Sequence, residues 1–412
     1  MSTDTALGIV KSINDPAEQE EDVSQGRSTK IEKIEAAMRR KYEYRYNTIK
    51  CQPEFRSDNE RWKPMSKLMV NDMRRYLDRI GISTSTSTIK EILSSSFCEP
   101  TNPIREYIIN QPEWNPKKPD YIKQMSDCID TGIDDFEWVF KKWYVGMIAN
   151  VMNDHGCQNE LCLVFAGEQG VYKSTFFRNL LPPELSSYVF LGKPKDTSDE
   201  RAWSQYLSEF MIICMDDCLK GILRKDNESI KSYITQSHIK FRRMYDEFFS
   251  EPPRIASFAA TVNGDDILND STGSRRFPTF EIKSIDKDRY LKIDKSAAMA
   301  QALTLYKSGY QYWLSPGEQE IVERNNQSHT LVTIEEQFIN TYCMADDRCH
   351  MQSAEIAAKL QEITRINYLS AVRIGEALKK LGYRRYQKTI QANRVWGWNV
   401  EITSEGNART IL

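Results

Sequence analysis

LCLVFAGEQGVYKST, residues 161–175, joins a continuous apolar run to a loop with two glycines, a lysine and two hydroxyl residues. An uninterrupted apolar run ahead of such a loop reads as a strand buried on both faces. The loop has most of the phosphate-binding pattern G-x-x-x-x-G-K-[ST]. Gly167, Gly170, Lys173, Ser174 and Thr175 are present, but Tyr172 stands where the pattern has its second glycine. KSTFFRNLL then reads as the helix that leaves the loop. The backbone N–H groups of Gly167, Glu168, Gln169, Gly170, Val171, Tyr172 and Lys173 are expected to surround phosphates, with the helix N-terminus adding positive potential. Lys173 is expected to reach the β and γ phosphates, Ser174 to bind Mg²⁺ through its hydroxyl, and Thr175 to add a second hydroxyl. A positive φ at Tyr172 costs roughly 1–2 kcal/mol. Binding tolerates such a cost better than hydrolysis does, because small errors in phosphate position lower rates strongly.

Moving outward from the loop, residues 160–282 alternate short apolar runs with helical stretches. SSYVFLG, FMIICMDD, IASFAATVN and FPTFEI are the further strands, and ERAWSQYLSE and ESIKSYITQ the helices between them. This alternation implies a mostly parallel sheet covered by helices. FMIICMDD ends in two carboxylates. Asp216 is expected to hold Mg²⁺ and Asp217 to orient or deprotonate the attacking water, although many strands simply end in acids. Asn263 ends its strand and suits sensing of the γ-phosphate, or else a turn, since Asn-Gly favours turns. In STGSRRF, Arg275 and Arg276 are adjacent. They read as an arginine finger for a neighbour's nucleotide or as a surface pair. The four features stand in order at the strand ends of one α/β pattern, which reads as a nucleotide-binding fold.

The flanks divide the rest. Residues 1–29 are polar and acidic and read as a disordered tail. Residues 30–155 read as a mostly helical N-terminal domain, with KYEYRYNTI a strand that puts Tyr42, Tyr44 and Tyr46 on one side. In STSTSTIKE, Thr88 before Glu91 reads as a capping box. The nucleotide core spans 156–285 and a helical lid 286–330. Residues 331–412 open with a capping box at Thr333 and Glu336. SAEIAAKLQEI and SAVRIGEALKKLG are helices, the second stopped at Gly382, and YRRYQKTI and RVWGWNV pair as a hairpin. That order is the order of a winged helix.

Hydrophobic and charged fractions of 40% and 28% are those of a globular chain, and the net charge is only −2. Contact with nucleic acid must therefore use local basic patches. There is no apolar run of membrane-spanning length and no signal-peptide pattern at the N-terminus, so a cytoplasmic protein is expected. Nine cysteines, without any C-x-x-C pair, read as reduced thiols. Cys343, Cys349 and His350 come nearest to a metal cluster but lack a fourth ligand.

GEQGVYKSTFFRNLLP, the Asp-Asp strand, IKSYITQSHIKFRRMYDE and ATVNGDDILNDSTGSRRF together resemble the virulence-associated protein E family. That family is similar to superfamily 3 helicases and to the helicase half of phage and poxvirus primase-helicases. The resemblance covers roughly residues 40–330, with NPIREYIINQPEWNP upstream and LYKSGYQYWLSPGEQEIVERNN downstream. It implies an AAA+-type P-loop ATPase that forms a ring, usually a hexamer, uses ATP and Mg²⁺, and moves on DNA for a phage-like or transposable element. Carried over, Lys173 and Ser174 are the phosphate and Mg²⁺ residues, Asp216 and Asp217 the acidic pair, Asn263 the sensor, and Arg275 or Arg276 the finger. Tyr172 departs from the family pattern. Residues 1–150 show no polymerase-type acidic cluster, so a primase or integrase is expected as a separate partner.

Two basic regions are candidates for DNA. In HIKFRRMYDEFF, Lys240, Arg242 and Arg243 lie among aromatics and suit either single-stranded DNA in a ring pore or a neighbouring subunit. In the tail, Arg373, Lys379 and Lys380 lie on the second helix, with Arg384, Arg385, Lys388 and Arg394 on or near the hairpin. They suit duplex DNA or a protein-docking face. Two functions follow: a ring-forming ATPase that unwinds or translocates on DNA, or a nucleotide-dependent binding or assembly factor with weak turnover because of Tyr172.

Overall fold

The computed structural model describes residues 28–58, 60–239, 252–264, 274–326, 334–366, 368–390 and 393–403. Residues 1–27 of the expected N-terminal tail, Thr333 of the expected capping box, and Gln391 and Ala392 lie outside the described residues. The chain divides after Glu106 into two compact units.

The first unit opens with α1 (Lys30–Lys41). Thr29 caps it: its hydroxyl accepts from the Glu32 N–H at 3.2 Å, and the Glu32 carboxylate accepts from the Thr29 N–H at 2.8 Å. β1 (Glu43–Asn47), β2 (Gln52–Arg56), β3 (Lys63–Pro64), α2 (Lys67–Arg79), α3 (Thr86–Leu93) and β4 (Glu99–Thr101) follow, with the strands in the order β3-β2-β1-β4. Tyr42, Tyr44 and Tyr46 alternate onto the helix-covered face of β1 and pack against its core, as their spacing implies. The cap of α3 differs from expectation. Ser85, not Thr88, is the N-cap, and its hydroxyl accepts from the Thr88 N–H at 3.0 Å. The alternating serine–threonine run offers several caps, and the earlier one gives the helix almost another turn.

The division falls within α4 (Pro103–Ile109). In the second unit come α5 (Tyr121–Ser126), β5 (Ile129–Asp130), α6 (Asp135–Met152), β6 (Cys162–Ala166), α7 (Lys173–Arg178), β7 (Val189–Gly192), α8 (Glu200–Glu209), β8 (Ile212–Asp216), α9 (Leu219–Thr235), β9 (Ser257–Thr261) and β10 (Thr279–Glu281). β6 to β10 form a five-stranded sheet in the order β10-β6-β9-β8-β7, and every neighbouring pair is parallel. Both faces are covered, which is why these strands read as unbroken apolar runs instead of alternating ones. Val164, Ile213, Met215, Phe258 and Ala260 pack with Trp203 on one face. Phe165 meets Phe136 of α6 and Phe176 and Phe177 of α7 on the other. α6, which the sequence groups with the N-terminal helices, lies against β9. Its Trp143 indole donates to the Phe258 carbonyl at 2.8 Å and its Asn150 amide to the Ala256 carbonyl at 3.0 Å.

The chain continues through β11 (Ser284–Ile285), α10 (Lys287–Lys292), α11 (Lys295–Lys307) and α12 (Pro316–Asn326). The C-terminal part comprises α13 (Ile334–Tyr342), β12 (Cys343–Ala345), α14 (Ser353–Thr364), α15 (Ala371–Lys380), β13 (Arg385–Ile390), β14 (Asn393–Trp398) and β15 (Val400–Ile402). α15 stops where expected, because Gly382 takes φ +82° just past its end. β13 and β14 pair as an antiparallel hairpin, and β15 returns to pair with β12, a contact the sequence pattern did not announce.

Candidate functional site

Because β9 lies between β6 and β8, the segments that follow these three strands meet at one edge of the sheet. Phe165 of β6 and Asp216 of β8 are both registered with Thr261 of β9. In open α/β sheets this carboxyl edge is where ligands sit.

The loop after β6 turns through positive φ at Gly167 (+128°), Gly170 (+93°) and Tyr172 (+73°). Glycine is required at Gly167, where a Cβ would stand 2.8 Å from the Ile282 carbonyl oxygen. Tyr172 holds the left-handed conformation that a glycine adopts freely and directly precedes α7. The loop path is therefore kept, and the tyrosine costs conformational energy, not geometry.

Lys173 folds back under the loop. Its ammonium donates to the Gly167 and Glu168 carbonyls at 2.9 and 2.5 Å and faces Asn263 Oδ1 at 3.4 Å. The residue is only 6% exposed. Burial pulls its ammonium below the ordinary lysine range, while Asp217 and Asp216 act in the opposite direction. Ser174 donates its hydroxyl to Asp216 Oδ1, and the Thr261 hydroxyl donates to the same oxygen at 2.5 Å. Asp217 takes a positive φ of +50°, which aspartate tolerates better than most residues. Its carboxylate accepts from the Asn263 amide side chain at 2.9 Å and backbone N–H at 3.3 Å. Its own N–H donates to the Thr261 carbonyl at 3.0 Å.

Lys173, Ser174, Asp216, Asp217 and Asn263 are thus brought into one hydrogen-bonded group. Glu168, Gln169, Val171 and Thr175 lie on the same loop and first helical turn. Thr261 is the member that sequence reasoning missed. A buried polar residue two positions before Asn263 in a run of alanines was the available signal.

Arg275 and Arg276 are elsewhere. They precede β10, and Thr279 of β10 is registered with Val164 of β6, so the arginines lie by the amino ends of these strands. With Leu161, Tyr312 and Trp313 they line a pocket at that edge. At about 3.3 Å per residue this is on the order of 15–20 Å from the loop. Arg275 is exposed, whereas Arg276 is half-buried and its Nε has no hydrogen-bond partner among the described residues.

Lys240, Arg242 and Arg243 lie outside the described residues. In the C-terminal part, Arg373, Lys379, Arg385, Lys388 and Arg394 are exposed. Lys380 is committed to Glu336 of α13, meeting its two carboxylate oxygens at 2.8 and 2.9 Å. No group of metal-ligating histidines, cysteines and acids occurs among the described residues, and all nine cysteines are free thiols. No helix among the described residues is long and apolar enough to cross a membrane.

Fold and site together define a mixed α/β protein with a parallel sheet and a polar cluster at its carboxyl edge. The chain belongs to the virulence-associated protein E-like domain family, which matches residues 109–331, more than half of its length. Among solved structures, the apo C-terminal region of NrS-1 is similar at 10% identity, over 91% of this chain and 100% of that one, with a TM-score of 0.49. An A-form apo structure of the same region is similar at 11% identity, over 90% and 99% of the two chains, with a TM-score of 0.47. No curated protein matches the chain.

Proposed function

We propose that the chain is an ATP-hydrolysing DNA motor. It is a ring-forming P-loop ATPase of the AAA+ type with a C-terminal winged helix, and it works as a helicase or translocase in replication or mobilisation of a phage-like or transposable element. The observation that carries this reading is the meeting of Lys173, the Ser174–Asp216 pair and the Asp217–Asn263 pair at adjacent ends of β6, β8 and β9. The donor set fits Mg²⁺–ATP. The Ser174 hydroxyl and Asp216 carboxylate are hard oxygen donors that already converge, as Mg²⁺ requires, and Lys173 supplies a positive charge that a polyphosphate can take over from the loop carbonyls. Bound there, Mg²⁺ would neutralise charge on the terminal phosphates. Lys173 holds the phosphates. Asp217 orients the attacking water and accepts its proton, and Asn263 fixes the Asp217 carboxylate. Thr261 orients Asp216.

An arginine at the amino edge of the sheet is too far away to serve the loop of its own chain. The finger role therefore supports a ring, a hexamer by family analogy, in which Arg275 meets a neighbour's nucleotide. A separate primase or integrase is the fitting partner.

A second reading, a nucleotide-dependent binding or assembly factor with weak turnover, draws on the strained φ of Tyr172. The test is ATP hydrolysis by the full chain, with and without single-stranded DNA, beside Tyr172→Gly. Since the native loop already follows the glycine path, the native chain is expected to turn over ATP with DNA stimulation. Tyr172→Gly is expected to change the rate by no more than about fivefold, the factor that a conformational difference of roughly 1 kcal/mol amounts to. An inert native chain beside an active Tyr172→Gly variant would establish the second reading instead.

A further inference from the structure

Residues 381–400, the β13–β14 hairpin and its flanks, contain Arg384, Arg385, Lys388 and Arg394 and no aspartate or glutamate. In a chain of net charge −2 this is a local concentration of positive charge. The register sets Arg385, Gln387 and Thr389 of β13 opposite Trp398, Trp396 and Arg394 of β14, so these six share one face.

That face starts in the core and runs out into solvent. Trp398 is 5% exposed and its indole donates to the Ser353 hydroxyl at 2.9 Å, which anchors the hairpin. Trp396, on the same side two residues earlier in the strand, is 50% exposed. The Arg385 guanidinium lies over both indoles, 5.2 Å from the Trp396 ring and 5.7 Å from that of Trp398. Arg385, Gln387, Thr389 and Arg394 are all exposed. The opposite face is held against the protein at its base, while Lys388 further along it is exposed. At the base the Tyr386 hydroxyl donates to the Cys349 carbonyl at 2.6 Å, and the Tyr386 ring meets His350 edge-on at 4.9 Å.

Phosphate contact alone needs only arginine and lysine. A half-exposed indole with a guanidinium over one face offers something further, its other face as a stacking surface for an unpaired base with positive charge close by. A duplex keeps its bases stacked on one another and cannot use that surface. We infer that the outward face of the hairpin binds single-stranded nucleic acid, with Trp396 stacking a base and Arg385 and Arg394 holding the adjacent phosphates. This rests on the reading of the chain as one that acts on DNA, and it replaces duplex backbone by unpaired strand as the hairpin's partner.

The test is equilibrium binding of the full chain, without nucleotide, to a labelled oligothymidylate and to a blunt duplex of the same length. Trp396→Ala is expected to weaken the single strand roughly tenfold and the duplex less than about twofold, with Trp396→Phe retaining most of the affinity. Its salt dependence should match the native chain's, whereas Arg394→Ala should flatten the slope of log affinity against log salt by about 0.7. Equal losses on both nucleic acids would overturn the proposal in favour of duplex contact. No loss on either, with altered self-association of Trp396→Ala, would overturn it in favour of a protein-docking face. DNA-free ATP turnover separates the two readings. A native chain without turnover that still shows this binding pattern fails as a motor and keeps the hairpin site. One with turnover but without the pattern does the reverse.

Discussion

Asp217→Asn is expected to lower ATP turnover by roughly 10²- to 10⁴-fold, the usual contribution of a positioned general base, while nucleotide affinity stays near the native value. The substitution suits the position. Asparagine accepts the positive φ of +50° at residue 217 as readily as aspartate, so the backbone need not move. The side chain keeps its shape and one carbonyl oxygen to receive the Asn263 amide, now held at 2.9 Å. What is lost is the negative charge and the ability to take a proton. Lys173→Ala provides the contrast, because it removes the ammonium that the phosphates would take from the Gly167 and Glu168 carbonyls. It is expected to abolish binding and turnover together. Single-turnover hydrolysis and binding of a fluorescent ATP analogue measure the two quantities separately. Native-rate hydrolysis by Asp217→Asn would remove Asp217 from the chemistry. A factor that only binds nucleotide would lose its function with Lys173→Ala and keep it with Asp217→Asn.

The site was legible to the extent that its parts are local. A loop pattern, a strand ending in two acids and an asparagine after an apolar run are each short-range features, and each was readable because strands buried on both faces leave continuous apolar runs. The order of the strands was not readable. Crossovers set it, and no periodicity records that β9 is inserted between β6 and β8, the insertion that brings Thr261 and Asn263 between the loop and the acids. The same limit hid the placement of α6. It is apolar on nearly every side, which signals burial without saying against what, and the answer is β9. The cap of α3 was misread for a different reason. Six alternating hydroxyl residues are chemically equivalent caps, and packing decides among them. Lys380 shows the converse case. Its charge looked available on a helix surface, but a glutamate distant in sequence, Glu336, already engages it.

Arg275 and Asn263 stand close in sequence yet at opposite edges of the sheet, and this separation yields a prediction that sequence proximity alone would have reversed. If an arginine near Asn263 in sequence were also near it in space, Arg275 would act within its own chain. The register of β10 with β6 excludes that arrangement, since it sets Thr279 beside Val164 and leaves the arginines by the amino ends of the strands. An exposed arginine there can serve a nucleotide only on another copy. Under the proposed function, Arg275→Ala is accordingly expected to lower DNA-stimulated turnover by roughly 10³-fold or more, the loss that removing an arginine finger carries, with nucleotide affinity unchanged. The decisive experiment mixes Arg275→Ala with Lys173→Ala, each inactive alone. In a mixed ring, an interface pairing the intact loop of the first with the intact arginine of the second is complete, and random mixing makes about a quarter of the interfaces so. Recovery of turnover on mixing is the expected result. Two inactive variants that stay inactive together, while native and variant chains demonstrably co-assemble, would mean that the arginine acts within its own chain or not at all.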